Sequence, residues 1–181
     1  PPYIIYQGAV NEGRCFESLI PAMRMVDRKL IICGSGNFFE QAKQITTDHH
    51  LTEKVIFTGW LEPSELTKRT SSAYIGVNLL ESTGLNHQLS LANRFFDYIQ
   101  SGLPQVCSDF PAYREINDQY HCALLIADTS PPSIAYHINR LLRDQQLYDD
   151  LKKNCMAARE HLHWGVEENK LLQFYRDIFD D

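Results

Sequence analysis

The sequence predicts an α/β fold, a doubly wound parallel sheet of Rossmann-like type, in a single domain over residues 1–181. Three observations carry that expectation. Short, continuously apolar runs alternate with stretches of helical periodicity along the whole chain. Runs with no polar alternation are those of strands covered by helices on both faces. The connections are short, and right-handed crossovers between parallel strands then give the doubly wound arrangement.

Composition sets the outer bounds. The chain has 181 residues, 44% hydrophobic and 22% charged, enough for one sizeable core. Its net charge of −6, with no long basic run, argues against a nucleic-acid footprint or a polybasic membrane patch. The five cysteines, Cys15, Cys33, Cys107, Cys122 and Cys155, are scattered and form no C-x-x-C, so a metal site is not expected. Buried free thiols fit a reducing, cytoplasmic setting. No signal peptide or run of about 18 apolar residues is visible.

The elements follow in order. Tyr3–Tyr6 is the first strand, and Phe16, Leu19, Ile20, Met23 and Val26 mark an amphipathic helix. Leu30–Cys33 is the second strand, followed by a helix over Phe38–Asp48. Val55–Phe57 is the third, and Pro63 sits in the first turn of the next helix. Tyr74–Leu80 is the fourth. In Ser90–Asp109, Leu91, Phe95, Phe96 and Ile99 recur at helical spacing, Gly102 suits a left-handed helix end, and Pro104 precedes a strand at Gln105–Cys107. Glu115 is expected to begin a short helix, and Cys122–Ala127 is the sixth strand. Helices then cover Ile134–Leu142, Gln145–His161 and Val166–Phe179.

Ligands of such sheets bind at the carboxyl ends of the strands. Asn93 and Arg94 lie near a helix N-terminus, where free N–H groups and the dipole favour an anion. Arg94 can fork onto phosphate, and Asp97, three residues on, offers a carboxylate to sugar hydroxyls. Without a ligand the same two residues read as a surface ion pair. Gly8 and Gly13 let main chain approach a ligand, and Arg14 follows at a helix start. Gly34-Ser35-Gly36 invites a dinucleotide reading, but the third glycine of G-x-G-x-x-G would fall at Phe39. A tight strand-to-helix turn explains Gly34 and Gly36 equally well. Gly59, Trp60 and Leu61 leave the third strand where main chain can pair with a base edge and Trp60 can stack or simply pack. Glu81 and His87 are titratable groups at the same edge, where one can serve as a base if it faces a hydroxyl.

Several of these segments together resemble the family 4 glycosyltransferases, of GT-B fold. ANRFFDYIQSGLPQVCSD is similar to the family's N-K-x-F-E-Y-x-x-x-G-x-P-V segment, and SDFPAYREI to S-D-x-P-x-x-R-E-I. The first loop, the Gly34–Gly36 turn, Val55–Leu61 and the HWGVEENKLL segment match further family segments in order. The resemblance implies the C-terminal, donor-binding half of a retaining, metal-independent enzyme that uses a UDP- or GDP-linked sugar and no other cofactor. It implies Arg14 and Arg94 on the donor diphosphate, Asp97 on the ribose as second member of an E-x7-E motif, and the Gly59–Leu61 main chain on the base. Gly8, Gly34, Gly36 and Asn93 belong to the same expected donor site.

Leu89 stands at the first acidic position of that motif, and Ala9 where the family carries an arginine. A degenerate domain, or another Rossmann-like nucleotide-binding module, therefore stays open beside the active enzyme. The resemblance also implies a second domain, about as large again, that binds a glycan, lipid or small-molecule acceptor and can bring the protein to the inner face of a membrane. The helix near 166–179 is expected to pack toward that domain. The chain alone is expected to bind donor poorly or modestly and not to turn over.

Overall fold

The computed structural model describes residues 2–82 and 84–179. Thr83 of the expected Glu81–Ser90 loop, Pro1, and the last two residues of the expected domain lie outside them. Six strands form one parallel sheet: β1 (Ile4–Gln7), β2 (Leu30–Cys33), β3 (Val55–Gly59), β4 (Ile75–Asn78), β5 (Gln105–Ser108) and β6 (Leu124–Ile126). Their order is β3-β2-β1-β4-β5-β6, the doubly wound order. Every neighbouring pair is parallel, as with Ile4 beside Leu30 and Ile75.

Helices cover both faces. The connections are α1 (Phe16–Ala22), α2 (Phe39–Asp48), α3 (Pro63–Ser72), α4 (Leu85–Leu89), α5 (Asn93–Gln100) and α6 (Pro111–Tyr120). The chain closes with α7 (Pro131–Arg143), α8 (Gln145–Ala158) and α9 (Trp164–Phe179). Strand alternation sorts the core into layers. Ile4, Tyr6, Leu30 and Ile32 meet Phe16, Leu19 and Ile138 from α1 and α7. Ile5 and Cys33 on the other face meet Tyr98 of α5, with Leu66 of α3 beside them. Phe95, Ile99, Tyr113 and Cys155 tie α5, α6 and α8 together.

One glycine decides how α5 sits. A Cβ on Gly76 of β4 would lie 2.6 Å from the Tyr98 ring. Its absence lets the ring lie against the strand, so the Tyr98 hydroxyl reaches 3.3 Å from the Ile5 and Val77 carbonyls and accepts from the Gln7 N–H at 3.2 Å.

Several element limits differ from the sequence expectation. The first amphipathic helix ends at Ala22 and tightens into a 3-10 turn at Met23–Met25, just after Pro21, which lacks an N–H. The fifth helix starts at Asn93, so Leu91 lies outside it. The sixth starts at Pro111 rather than Glu115, because proline at the first helical position gives up only an N–H without an intrahelical partner. The α4 turn was not expected. Strand β4 is shorter than the Tyr74–Leu80 run. Tyr74 does donate to the Tyr3 carbonyl, but at the far end the Leu80 N–H turns to the Ser108 hydroxyl.

All five cysteines are free and buried. Burial pushes the Cys15 thiol up to about 12 and the Cys122 thiol up to about 11. No described helix is long and apolar enough to cross a membrane.

Candidate functional site

The strand order reverses between β1 and β4, and the loops beyond their carboxyl ends diverge there. A cleft of about 410 Å³ opens at that point, lined among others by Gly8, Arg14, Leu91, Asn93, Arg94 and Asp97. This is the crevice where doubly wound sheets place ligands. Five of the residues singled out from the sequence therefore meet in one place: Gly8, Arg14, Asn93, Arg94 and Asp97.

Arg94 is buried, 7% exposed. Its Nε donates to Asn78 Oδ1 at 2.8 Å, its Nη1 to the Gln7 carbonyl at 3.0 Å, and its Cζ stands 4.5 Å from the Tyr6 ring centroid. Gly8 beside it has a φ of 112°, a conformation that L side chains rarely adopt, and its Cβ position lies at contact distance, 3.4 Å, from Nη1. Among the described residues no carboxylate pairs with Arg94. The surface ion pair with Asp97 is thus not formed. Nε and Nη1 are committed to Asn78 and to the Gln7 carbonyl. Beneath the guanidinium, burial raises the Tyr6 hydroxyl above its ordinary range against the opposing pull of Arg94.

Helix α5 carries no side-chain cap. Tyr113 accepts from the Ala92 N–H at 3.0 Å, and the next donors in line, at Asn93 and Arg94, belong to the first turn, where a helix supplies no intrahelical acceptor. Arg14 is half-buried, and its Nε is buried without a partner among the described residues. Asp97 is exposed on the cleft wall. Desolvation by that wall raises its carboxyl above the ordinary aspartate range, while the Gln7 amide at 2.8 Å and the charge of Arg94 hold it back.

Gly34 and Gly36 shape the site instead of lining this cleft. A Cβ on Gly34 would collide with the Gly8 carbonyl oxygen, and one on Gly36 with the Val10 carbonyl and the Asn11 side chain. Main-chain bonds of 2.8–3.0 Å run Gly8 to Cys33, Val10 to Ser35 and Gly34 to Gly59, locking three strand exits together. The tight-turn reading of both glycines is therefore the geometrical one. Trp60 is 66% exposed and Leu61 half-buried, further along the same edge beyond β3. Neither they nor Gly59 line this cleft.

Glu81 and His87 are half-buried at the other side. The Glu81 N–H donates to the Gly13 carbonyl at 3.0 Å, and His87 Nδ1 lies 3.0 Å from the Glu81 carbonyl with its ring against Gly13. They brace the first loop and stand outside the cleft lining. Sequence reasoning missed Gln7, Asn78 and Thr70. The signal available was a polar residue ending each of two apolar strands, Gln7 on β1 and Asn78 on β4.

A six-stranded parallel sheet covered by helices and doubly wound about a switch-point cleft is a Rossmann-like fold, consistent with half of a GT-B fold. The chain belongs to the glycosyl transferases group 1 family, whose model matches residues 1–157. It is 24% identical over 180 residues to an uncharacterized glycosyltransferase of Methanocaldococcus jannaschii, a match covering 96% of this chain and 44% of that protein. It superposes on the Anabaena protein HepE, solved in complex with UDP and glucose, with a TM-score of 0.81 at 16% identity, over 98% of this chain and 49% of that one. It also superposes on the C-terminal domain of a glycosyl transferase group 1 family protein of Francisella tularensis, with a TM-score of 0.69 at 17% identity, over 86% and 83% of the two chains. The chain thus spans about half the length of the curated relative it matches.

Proposed function

We propose that this chain is the donor-binding half of a retaining, metal-independent glycosyltransferase, and that the cleft takes the diphosphate and ribose of a UDP- or GDP-linked sugar. The observation that carries the reading is Arg94. A buried guanidinium without a carboxylate partner is costly, and an anion in the cleft offsets that cost. The N-terminus of α5 and the half-buried Arg14 add to the same attraction. As the sugar leaves the diphosphate, negative charge grows on the phosphate oxygens. Arg14, Arg94 and the helix start then act where that charge develops, so the positive charge comes from the chain itself and no cofactor is called on.

Asp97 takes the ribose, and the main chain at Gly59, Trp60 and Leu61 takes the base along the neighbouring edge. HepE, similar in fold, was solved with UDP and glucose bound. The acceptor, a glycan, a lipid or a small molecule, comes from a second domain, which also brings the enzyme to the cytoplasmic face of a membrane. The exposed apolar face of α9 suits packing against that domain. This chain alone binds donor and does not turn over.

Calorimetric titration with UDP, GDP and NAD tests the reading. Binding of a nucleoside diphosphate that Arg94→Gln removes supports it. Absence of binding, or a preference for NAD, overturns it. A degenerate domain is the second reading, favoured by Leu89, which is 65% exposed where the family resemblance puts an acid. Donor binding without turnover in the two-domain protein would select it.

A further inference from the structure

Gln7 is the last residue of β1 and is buried. All four of its polar groups are engaged, and two of the partners, Arg94 and Asp97, line the cleft. Its N–H donates to the Tyr98 hydroxyl at 3.2 Å, and its carbonyl accepts from Arg94 Nη1 at 3.0 Å. Its side-chain Nε2 donates to Asp97 Oδ2 at 2.8 Å, and its Oε1 accepts from the hydroxyl of Thr70, a buried residue of α3. The orientation of the amide follows from Asp97. An ionised carboxylate only accepts, so it must meet Nε2, which leaves Oε1 to the Thr70 hydroxyl.

We propose that Gln7 is a positioning residue of the nucleotide site: held by Thr70, its side-chain amide aims the Asp97 carboxylate, and its main-chain carbonyl aims the Arg94 guanidinium. The proposal rests on the donor-site reading above and deepens it. The two groups that would meet ribose and diphosphate are spaced by one residue of the sheet, not by contact with each other. Because Gln7 occupies Oδ2, the acceptor capacity of Asp97 toward a ligand is concentrated at Oδ1.

The arrangement has a consequence for titration. Arg94 is the charged group that acts on Asp97. Arg14 lines the same cleft, and the other side chains around Asp97, Leu66, Thr67 and Thr70 of α3, Gln100 of α5 and Ser101 beyond it, are uncharged. The Gln7 amide is therefore the nearest neutral group that favours the ionised carboxylate. Gln7→Glu keeps the shape of the side chain but sets a second carboxyl against Asp97, and two such groups resist ionising together. Thr70→Val keeps the shape of residue 70 and removes the donor that fixes the amide.

The test is a carboxyl-carbon NMR titration of Asp97 in the wild-type protein, Thr70→Val and Gln7→Glu, with UDP and GDP affinity measured beside it. The Asp97 midpoint is expected to rise by roughly half a pH unit in Thr70→Val and by roughly two in Gln7→Glu. Nucleotide affinity is expected to fall about tenfold in Gln7→Glu and to recover in part as pH falls and the pair shares a proton. An Asp97 midpoint that stays at the wild-type value in both folded variants overturns the proposal. If the wild-type protein binds neither nucleotide, the donor-site reading fails, and the titration still decides whether Gln7 controls Asp97. A shift in midpoint with unchanged affinity for a nucleotide that does bind overturns the positioning role.

Discussion

The Arg94 guanidinium lies over the ring of Tyr6, 4.5 Å from its centroid, so the cation of a helix start rests on an aromatic residue of the central strand. The contact spans 88 positions of sequence. It makes the arginine part of the core as well as of the cleft, and its replacement has two separable effects.

Arg94→Gln should weaken UDP or GDP binding by about 1.5–3 kcal/mol, the range for a hydrogen bond to a charged group. It should also destabilise the protein by about 1–3 kcal/mol, because Asn78 Oδ1 and the Gln7 carbonyl lose their donors while buried. Urea denaturation without ligand, set beside calorimetry, separates the two. A loss of affinity with unchanged stability would show that the buried contacts contribute little.

Asp97→Asn should weaken nucleoside diphosphate binding by about 1–3 kcal/mol and leave pyrophosphate binding unchanged, since the proposed phosphate contacts are those of Arg14, Arg94 and the α5 start. Equal loss for both ligands would remove Asp97 from the ribose.

The same variant carries a pH signature. The Asp97 carboxyl titrates above its ordinary value in the folded protein, through desolvation opposed by Gln7 and Arg94. The folded state therefore holds this proton more tightly than the unfolded chain. The stability it contributes is full at low pH and is lost as pH rises through the folded-state midpoint. Asp97→Asn should remove that decline, so its melting temperature should gain on wild type as pH rises from the ordinary aspartate range, about pH 4, through the folded-state midpoint. A constant difference between the two proteins would contradict the sign.

Gly76→Ala should cost about 1–3 kcal/mol, the range for overpacking, because the added methyl meets the Tyr98 ring. Displacing Tyr98 also takes its hydroxyl from the Gln7 N–H, so nucleotide affinity should fall with stability. Chemical denaturation and calorimetry on the one variant check both parts.

Removing Trp164–Phe179 should leave the unfolding free energy within about 0.5 kcal/mol of wild type, as for surface changes generally. No described side chain of α9 is buried, and Leu171, Phe174, Tyr175 and Ile178 are each 44–58% exposed. A large loss would mean that the helix supports the sheet.

The sheet was legible because its signal is local. Each strand is a run of apolar residues, and each run is closed by glycine, proline or a polar residue. The limits drifted where a neighbouring element decides them, as at Leu80, whose N–H is taken by Ser108. Arg94 and Asp97 were legible as candidates because a helix start is visible in sequence. The burial of Arg94 was not, since its partners lie 16 and 87 positions away. The partners of Gln7 and Thr70 were out of reach for the same reason, although a polar residue closing an apolar strand marked Gln7 itself. Gln7 reads as the opening of a turn and Thr70 as a polar helix residue until β1 and α3 are side by side. Gly34 and Gly36 suggested a ligand turn, but their side-chain space is filled by the neighbouring loop.

The three interlocked strand exits also divide the cleft edge by its tolerance to change. Gly34 and Gly36 face the main chain of the first loop, so insertions or larger side chains there would part β1 from β2. Gly59 differs: it has a left-handed φ of 70°, yet nothing lies within 4 Å of where its Cβ would be. It opens onto the outermost strand, where Trp60 already projects into solvent. There is room for longer loops between Trp60 and Glu62, while the first two exits are a fixed frame. Libraries varied at 60–62 should stay folded, and libraries varied at 34–36 should mostly not.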